Sequence, residues 1–210
     1  MKYDFSCRVF AIVFSKFLVK YYDNNFKEFN IKKYLKTIKK EYKEMILRTP
    51  GLSKDNNMAD NLKGAAYFFA VAKILPNMTP VIMDDYVNYM MTSNFMKKLY
   101  KKARVKGTLF SSKEQEKMYQ DSLRSQKSND EMDWKYTYEK GVNECRYTIT
   151  KCGVCRLAER EEVLEYLPCM CKMDYPKYDI RGAILDRTKT LANKDECCNF
   201  HLIKKDNIEK

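Results

Sequence analysis

The hydrophobic pattern of this 210-residue chain changes its period once, and that change constrains the fold more than any other feature. Up to residue 110, apolar side chains recur every three or four positions, which is the spacing of helices that bury one face. From Trp134 onward, apolar and polar side chains alternate, as they do in a half-buried strand. The sequence therefore predicts an α+β fold in which a helical half precedes a sheet.

Four stretches of the first half predict helices. The second is expected to begin at Asn30, a good N-cap residue, and to end at Thr49, where Pro50 follows. The fourth is expected to begin at Pro80, because proline is favoured in the first turn of a helix. The predicted ranges are 5–20, 30–49, 59–75 and 80–91.

Six elements are predicted after residue 133, in the order β-β-α-α-β-β. The strands are expected over 134–139, 145–150, 183–192 and 198–203, and the helical stretches over 156–167 and 169–180. Pro168 is expected to end the first helix and Pro176 to bend the second. Together these elements predict a four-stranded antiparallel sheet with helices on one face.

Residues 111–133 separate the two halves and are almost wholly polar. They offer few apolar side chains to bury, so we interpret them as a connector that is helical only at its start. The predicted organisation is a helical sub-domain over 1–110, the connector over 111–133, a cysteine-rich α+β sub-domain over 134–205 and a tail over 206–210.

The formal net charge is +12, and residues 1–50 carry +7 of it while residues 51–110 carry +5. Most of the positive charge comes from lysine and no binding motif accompanies it, so we interpret it as solvated helix faces and expect no specific nucleic-acid partner. No apolar run is long enough for a transmembrane helix and no export signal is evident, so we expect a soluble, cytoplasmic protein without a membrane partner.

Seven of the eight cysteines lie in the last third of the chain. Without export, a disulfide framework is not expected, so these thiols are candidates for a metal site, a nucleophile or buried packing. Cys152 and Cys155 have the spacing of half a zinc site, which Cys169 with Cys171, or Cys197 with Cys198, could complete. His201 is the one histidine, so sites that need two imidazoles are excluded.

Cys171 and Asp174 are three residues apart, so on a helix they share one face. A thiol beside a carboxylate can combine a nucleophile with a proton-transfer group. The carboxylate alone raises the pKa of the thiol, so a nearby cation is needed to favour the thiolate. Arg187 on the next strand could supply it.

The last third resembles the signature of the L-2-amino-thiazoline-4-carboxylic acid hydrolase family. The stretch TITKCGVCRLAEREEVLEYLPCMCKMDYPKYDIRGAILDRTKTLANKDECCNFHL carries it, and RTPGLSKDNNMADNLKGAAYFFAVAK resembles the helical part of that family. The matching positions are Cys152, Cys155, Pro168, Cys171, Asp174, Arg187, Thr188, Thr190, Cys198 and Phe200.

The resemblance implies a hydrolase that adds water to a small cyclic amidine-like amino acid and needs no cofactor. Cys171 would be the nucleophile, Asp174 the proton shuttle and Arg187 the anchor of the substrate carboxylate. On a strand, Thr188 and Thr190 face the side opposite to Arg187. Either Arg187 or the two threonines therefore face the pocket, and the side chains on the other face are structural. Both threonines remain candidates for substrate binding.

Three positions depart from the pattern of the family. Lys194 stands where glycine is usual in the last turn, Asn199 where aspartate is usual and His201 where arginine is usual. Asn199 is a candidate for substrate binding, and His201 is a candidate polar pocket group or catalytic base near neutral pH.

Two other functions are consistent with the residues. The clustered cysteines also resemble the ligand-binding domains of the 4-vinyl reductase type, which would give a non-catalytic module for a small ligand or zinc. If zinc is bound, the expected ligands are Cys152, Cys155, Cys171 and Cys198. The third hypothesis, a nucleic-acid-binding accessory protein, depends only on the positive charge of the first half.

Overall fold

A computed structural model describes residues 1–53, 56, 58–106 and 109–205, so the predicted tail over 206–210 lies outside the described residues. In chain order the helices are α1 (Phe5–Asn25), α2 (Leu35–Arg48), α3 (Ala59–Ile74), α4 (Pro80–Met91), α5 (Asn94–Lys106), α6 (Ser112–Lys127), α7 (Gly153–Arg160), α8 (Leu167–Lys172) and α9 (Asp174–Ile180). The strands are β1 (Lys135–Glu139), β2 (Glu144–Lys151), β3 (Ala183–Asp186) and β4 (Cys198–Lys204). The predicted α+β class is confirmed.

Contacts divide the chain into two compact units, each assembled from three segments. The first unit comprises Met1–Met90, Asp130–Met132 and Gly153–Met170, and the second comprises Met91–Asn129, Asp133–Cys152 and Cys171–Lys210. The sub-domains predicted from the sequence follow chain order instead, and their boundaries stay a prediction. Within the described residues, no helix is long and apolar enough to cross a membrane.

Buried aromatic side chains fill the core of the first unit. The ring of Tyr67 meets Phe14 and Tyr42 edge-on, with ring centroids 5.4 and 5.6 Å apart. Its hydroxyl lies 2.9 Å from the Ser15 hydroxyl, and the Tyr86 hydroxyl donates to the Phe14 carbonyl at 2.9 Å. Tyr67 and Tyr86 therefore bury large apolar surfaces while their hydroxyls keep hydrogen-bond partners.

The second predicted helix begins later than expected. Asn30 makes no capping hydrogen bond with its side chain, and a 3₁₀ turn over Ile31–Lys33 comes before α2. The predicted end is confirmed, because the Thr49 amide donates to the Met45 carbonyl at 3.1 Å and extended backbone leads into Pro50.

The polar stretch after residue 110 is more ordered than predicted, because α6 occupies most of it. Its buried residues are polar, and three of them, Gln115, Asp121 and Ser125, form hydrogen bonds with the first hairpin. The Gln115 side chain accepts from the Gly141 amide at 2.9 Å and donates to the Gly141 carbonyl at 2.7 Å. The Ser125 hydroxyl accepts from the Tyr136 amide at 3.2 Å. Helix α6 is therefore held to the sheet largely by hydrogen bonds, which an apolar pattern does not register.

The sheet is antiparallel and has the strand order β1-β2-β4-β3. The predicted turn over 140–143 is confirmed, since β1 ends at Glu139 and β2 begins at Glu144. Along β4, Cys198, Phe200 and Leu202 are buried and alternate with half-buried residues. One face of the sheet therefore carries the core of the second unit.

Three details around the third and fourth strands differ from the prediction. Pro168 lies in the first turn of α8 rather than ending a helix, because a proline there gives up no helical hydrogen bond. The break between α8 and α9 falls at Met173, before Pro176. Strand β3 ends at Asp186, and Leu191–Asn193 form a 3₁₀ turn instead of continuing the strand.

The turn after that 3₁₀ segment places Lys194 in the left-handed region, at φ 67°. A side chain costs about 1–2 kcal/mol in this conformation relative to the right-handed one, and glycine avoids the cost. The positive φ of this residue therefore explains why glycine is favoured at this position.

We expect Lys194→Gly to raise the free energy of unfolding by about 0.5–1 kcal/mol, since relief of the strained φ exceeds the added freedom of the unfolded chain. Asn193→Gly is the matched control, because Asn193 is equally exposed but does not have a positive φ. The control should lower stability by about 0.5–1 kcal/mol. Urea unfolding of both variants checks the opposite signs, and a shared sign would contradict the argument.

A second substitution tests how α6 is attached. Gln115→Ala should lower the free energy of unfolding by about 1–3 kcal/mol, because both polar groups of the Gly141 backbone lose their partner. Gln120→Ala is the control, since Gln120 is exposed and bonds only to Glu116 in the preceding turn. The control should change stability by less than about 0.5 kcal/mol. Equal effects in thermal unfolding would refute the assigned role of Gln115.

Candidate active site

Arg187 is the centre of the predicted site. It follows β3, and its side chain is only 2 % exposed. Its Nη1 donates to Asp174 Oδ2 at 2.9 Å, and its Nη2 donates to the Cys171 carbonyl at 2.7 Å. The structure thus brings together Cys171, Asp174 and Arg187, the three residues for which the family resemblance implies catalytic and anchoring roles. One guanidinium joins the end of α8 to the start of α9.

Aromatic rings cover the guanidinium of Arg187. Its central carbon lies 4.7 Å from the ring centroid of Phe200 and 5.1 Å from that of Tyr175. The Tyr175 hydroxyl also donates to the Arg187 carbonyl at 3.2 Å. On its other side, Phe200 stacks on Tyr147 with centroids 4.3 Å apart. The cation is therefore stabilised by a carboxylate, a carbonyl and two ring faces.

One donor of Arg187 remains unsatisfied. The Nε atom is buried and has no hydrogen-bond partner among the described residues. Buried donors in native proteins nearly always have a hydrogen-bond partner. The unpaired Nε–H of Arg187 is therefore a place where a ligand can supply an acceptor.

The thiols near Arg187 are protonated at neutral pH. Burial raises the pKa of Cys171 to about 12; Cys152, Asp174 and Cys198 add to the rise, and Arg187 opposes it. Burial likewise raises the pKa of Cys198 to about 11, although its sulfur accepts from the Leu191 amide at 3.2 Å. The cation is thus present as expected, but it does not outweigh the cost of burying a thiolate.

Asn199 and Thr188 form a separate polar pair at the strand ends. Asn199 Oδ1 accepts from the Thr188 amide at 3.2 Å and from the Lys189 amide at 2.6 Å. Asn199 Nδ2 donates to the Thr188 hydroxyl at 2.9 Å. These bonds continue the pairing of β3 with β4 beyond Asp186. A carboxylate could accept from the same two amides, so the backbone here tolerates either residue.

Thr190 has a local structural role. Its hydroxyl accepts from the Asn193 amide at 3.2 Å and caps the 3₁₀ turn, and its own amide donates to Asp195 Oδ2 at 2.7 Å. The expected alternation does not hold, because β3 ends at Asp186: Arg187 and Thr190 are both buried, whereas Thr188 is exposed.

His201 lies on the face of the sheet opposite to Phe200 and Arg187, since strand residues alternate. Its Nε2 contacts Glu144 Oε2 at 2.5 Å, and its Nδ1 lies 3.9 Å from Asp186 Oδ2. The contact with His201, aided by Arg146, lowers the pKa of Glu144. The structure does not bring His201 to the Arg187 cluster.

The two cysteines of the C-x-x-C motif belong to different units, Cys152 to the second and Cys155 to the first. Among the described residues, no three Cys, His, Asp or Glu side chains are grouped so that they could hold a metal ion. A zinc site stays a prediction.

The sequence reasoning missed the aromatic partners of Arg187. Tyr175 follows Asp174 directly and covers the guanidinium. Tyr147 and Tyr178 share a hydrogen bond of 2.5 Å between their hydroxyls, beneath Phe200. The alternation of β2 and β4 marked Tyr147 and Phe200 as buried, but nothing in it indicated a cation between rings.

Comparison with known proteins yields one match. A model of the L-2-amino-thiazoline-4-carboxylic acid hydrolase family matches residues 55–202, well over half of the chain. The matched range contains Cys171, Asp174 and Arg187, together with the rings around them. No curated protein and no solved structure matches the chain.

We expect Arg187→Gln to lower the free energy of unfolding by about 2–3 kcal/mol, because Asp174 and the Cys171 carbonyl lose a buried charged donor. Lys189→Gln is the control, since its ion pair with Glu196 is solvent-exposed and should contribute less than about 0.5 kcal/mol. Urea unfolding at pH 7 compares the two. If both variants were as stable as the unmodified protein, the cluster would not depend on the guanidinium.

Proposed function

Because the chain belongs to the L-2-amino-thiazoline-4-carboxylic acid hydrolase family, we propose that it opens the ring of a small cyclic amidine-like amino acid by hydrolysis. The observation that carries the proposal is the buried Arg187, which pairs with Asp174 and bonds to the Cys171 carbonyl, with the Cys171 thiol near enough for both charges to shift its pKa. A cation, a carboxylate and a thiol are the groups that such a substrate and reaction require.

The proposed reaction has two steps. In the first, the Cys171 sulfur bonds to the amidine carbon of a 2-amino-thiazoline ring, the ring C–S bond breaks, and the thiol proton passes through Asp174 to the departing ring sulfur. In the second, water forms a C–O bond to the same carbon, the bond to Cys171 breaks, and a proton from the water restores its thiol. The net change is the addition of one water, which gives a carbamoylated cysteine without oxidation or reduction.

Arg187 is the proposed anchor of the substrate carboxylate. Its unsatisfied Nε–H supports this role, because a carboxylate oxygen would complete the hydrogen bonding of the guanidinium. Tyr175 covers the guanidinium and is itself 42 % exposed, so displacement of this one ring would open a path from solvent. Phe200 would then form the apolar floor of the site.

Cys171 must lose its proton before it can attack, and its raised pKa of about 12 keeps the thiol protonated at pH 7. A cationic amidinium bound beside the thiol would lower that pKa, and Asp174 would pair with the amidinium. In this proposal the substrate activates the nucleophile, and the resting thiol is protected from oxidation and alkylation.

Incubation of the purified protein with L-2-amino-thiazoline-4-carboxylate, followed by mass spectrometry of the small molecules, tests the reaction. The expected product has the mass of the substrate plus one water, and ¹⁸O from labelled water should appear in its carbamoyl group. An unchanged substrate over long incubation would overturn the proposed reaction. If the protein instead retained the substrate or zinc stoichiometrically, a non-catalytic binding module would be favoured.

We expect Cys171→Ser to reduce turnover of that substrate about 100-fold or more, since a hydroxyl is a much weaker nucleophile than a thiol. Cys197→Ser is the matched control, because Cys197 is half-buried and does not contribute to the pKa shift of Cys171. The control should retain turnover. Thermal unfolding of both variants separates loss of catalysis from loss of folding.

The pH profile gives an independent reading of the same role. Because the Cys171 proton passes through Asp174 to the departing sulfur, the protonated enzyme is the reacting form, and kcat/KM should stay nearly constant between pH 6 and pH 8, far below the pKa of Cys171. A rise of about tenfold per pH unit would show that only enzyme with a free thiolate reacts, and full activity in Cys171→Ser would show that water attacks directly, without a covalent intermediate.

A further inference from the structure

The first unit contains an open cleft whose lining is entirely charged. The cavity has a volume of about 570 Å³, which is large enough for a small organic molecule. It lies at the ends of α2, α3 and α7, and its lining residues are Glu41, Arg48, Lys73, Arg160 and Glu161. None of these residues belongs to the Arg187 site.

Glu161 organises the cleft. Its side chain is only 5 % exposed, and it accepts from Arg48 through Nε at 2.8 Å and through Nη2. Lys73 Nζ donates to the same carboxylate at 2.9 Å. Burial opposes ionisation, but the two cations hold the pKa of Glu161 below its usual value. The carboxylate is therefore charged and fixes both cations in place.

The backbone is strained at the residue that follows. Helix α7 ends with the Val163 amide donating to the Ala158 carbonyl at 2.9 Å and the Glu162 amide donating to the Glu159 carbonyl at 3.2 Å. This closure requires the left-handed conformation, which glycine usually supplies, yet Glu162 adopts it at φ 57°. This strained end of α7 places the Glu161 side chain between Arg48 and Lys73.

The ion pairs leave donors available in the cleft. Within the described residues, the hydrogen bonds of Arg48 use Nε and Nη2, and those of Arg160 use Nη1 toward Glu131 at 3.0 Å. Arg48 Nη1 and Arg160 Nη2 therefore have no protein acceptor there. The charges of Arg48, Lys73 and Arg160 are balanced by Glu41, Glu161 and Glu131, so the two unpaired guanidinium edges are what the cleft offers to a ligand.

We propose that this cleft binds a small organic carboxylate of charge −1 that also carries an N–H donor. The carboxylate accepts from the unpaired guanidinium edges of Arg48 and Arg160. The N–H group of the ligand donates to Glu41, which already accepts from Arg48 at 2.6 Å and has a second carboxylate oxygen. A neutral or cationic ligand offers these donors no charged acceptor and does not bind.

N-acetylglycine is a suitable probe, because it has one carboxylate and one N–H and no group that can be hydrolysed as a cyclic amidine. Titration of the ¹⁵N-labelled protein should give saturable chemical-shift changes that centre on the amides of Arg160, Glu161 and Lys73. Acetamide and glycinamide, which lack the negative charge, should give none. Saturable changes that centre on Arg187 instead, or no saturation up to 50 mM, would overturn the proposal.

Arg160→Ala should weaken the binding of N-acetylglycine at least tenfold, because one of the two guanidinium partners is lost. Arg156→Ala is the matched control: it removes the same charge from α7, but Arg156 is exposed, pairs with Glu159 and does not line the cleft. The control should keep the affinity. Equal weakening in both variants would show that general positive charge, rather than this cleft, attracts the ligand.

Discussion

The second unit depends on the burial of one guanidinium. Arg187 has no route to solvent in this structure, so its charge must be balanced where it lies, and Asp174, the Cys171 carbonyl and the Phe200 ring each supply part of the compensation. These partners come from the end of α8, the start of α9 and the last strand. The buried charge of Arg187 thereby fixes the relative positions of Cys171 and Asp174, the groups that carry the proposed chemistry.

The same burial keeps the thiol protonated at rest. Although a cation is close, the cost of burying a thiolate exceeds the attraction of Arg187, which Asp174 partly offsets. In the proposed reaction a second positive charge activates the thiol, and a cyclic amidine carries one. A cationic substrate and a protonated resting thiol would then have one physical origin.

The periodicity of the sequence predicted the α+β class, the first hairpin and the end of α2, because each depends on apolar spacing or on a proline. It failed for α6, which is held to the hairpin by Gln115 and Ser125 through hydrogen bonds. The spacing of Cys171 and Asp174 predicted one shared helix face, but the helix breaks at Met173 and the two residues lie on α8 and α9, where Arg187 bonds to both. The covering ring of Tyr175 depends on tertiary packing, which a linear pattern does not encode.

Two arginine environments in this chain differ in what they can do. Arg187 is enclosed, so a ligand reaches it only if Tyr175 moves, and binding there has to offset that rearrangement. Arg48 is 41 % exposed and lines an open cleft, so a carboxylate can reach it without rearrangement, although solvent weakens the attraction. An enclosed cation suits selective chemistry on a scarce substrate, whereas an open cluster suits rapid and reversible binding. The proposed division between a reaction site and a ligand cleft follows from this difference in desolvation.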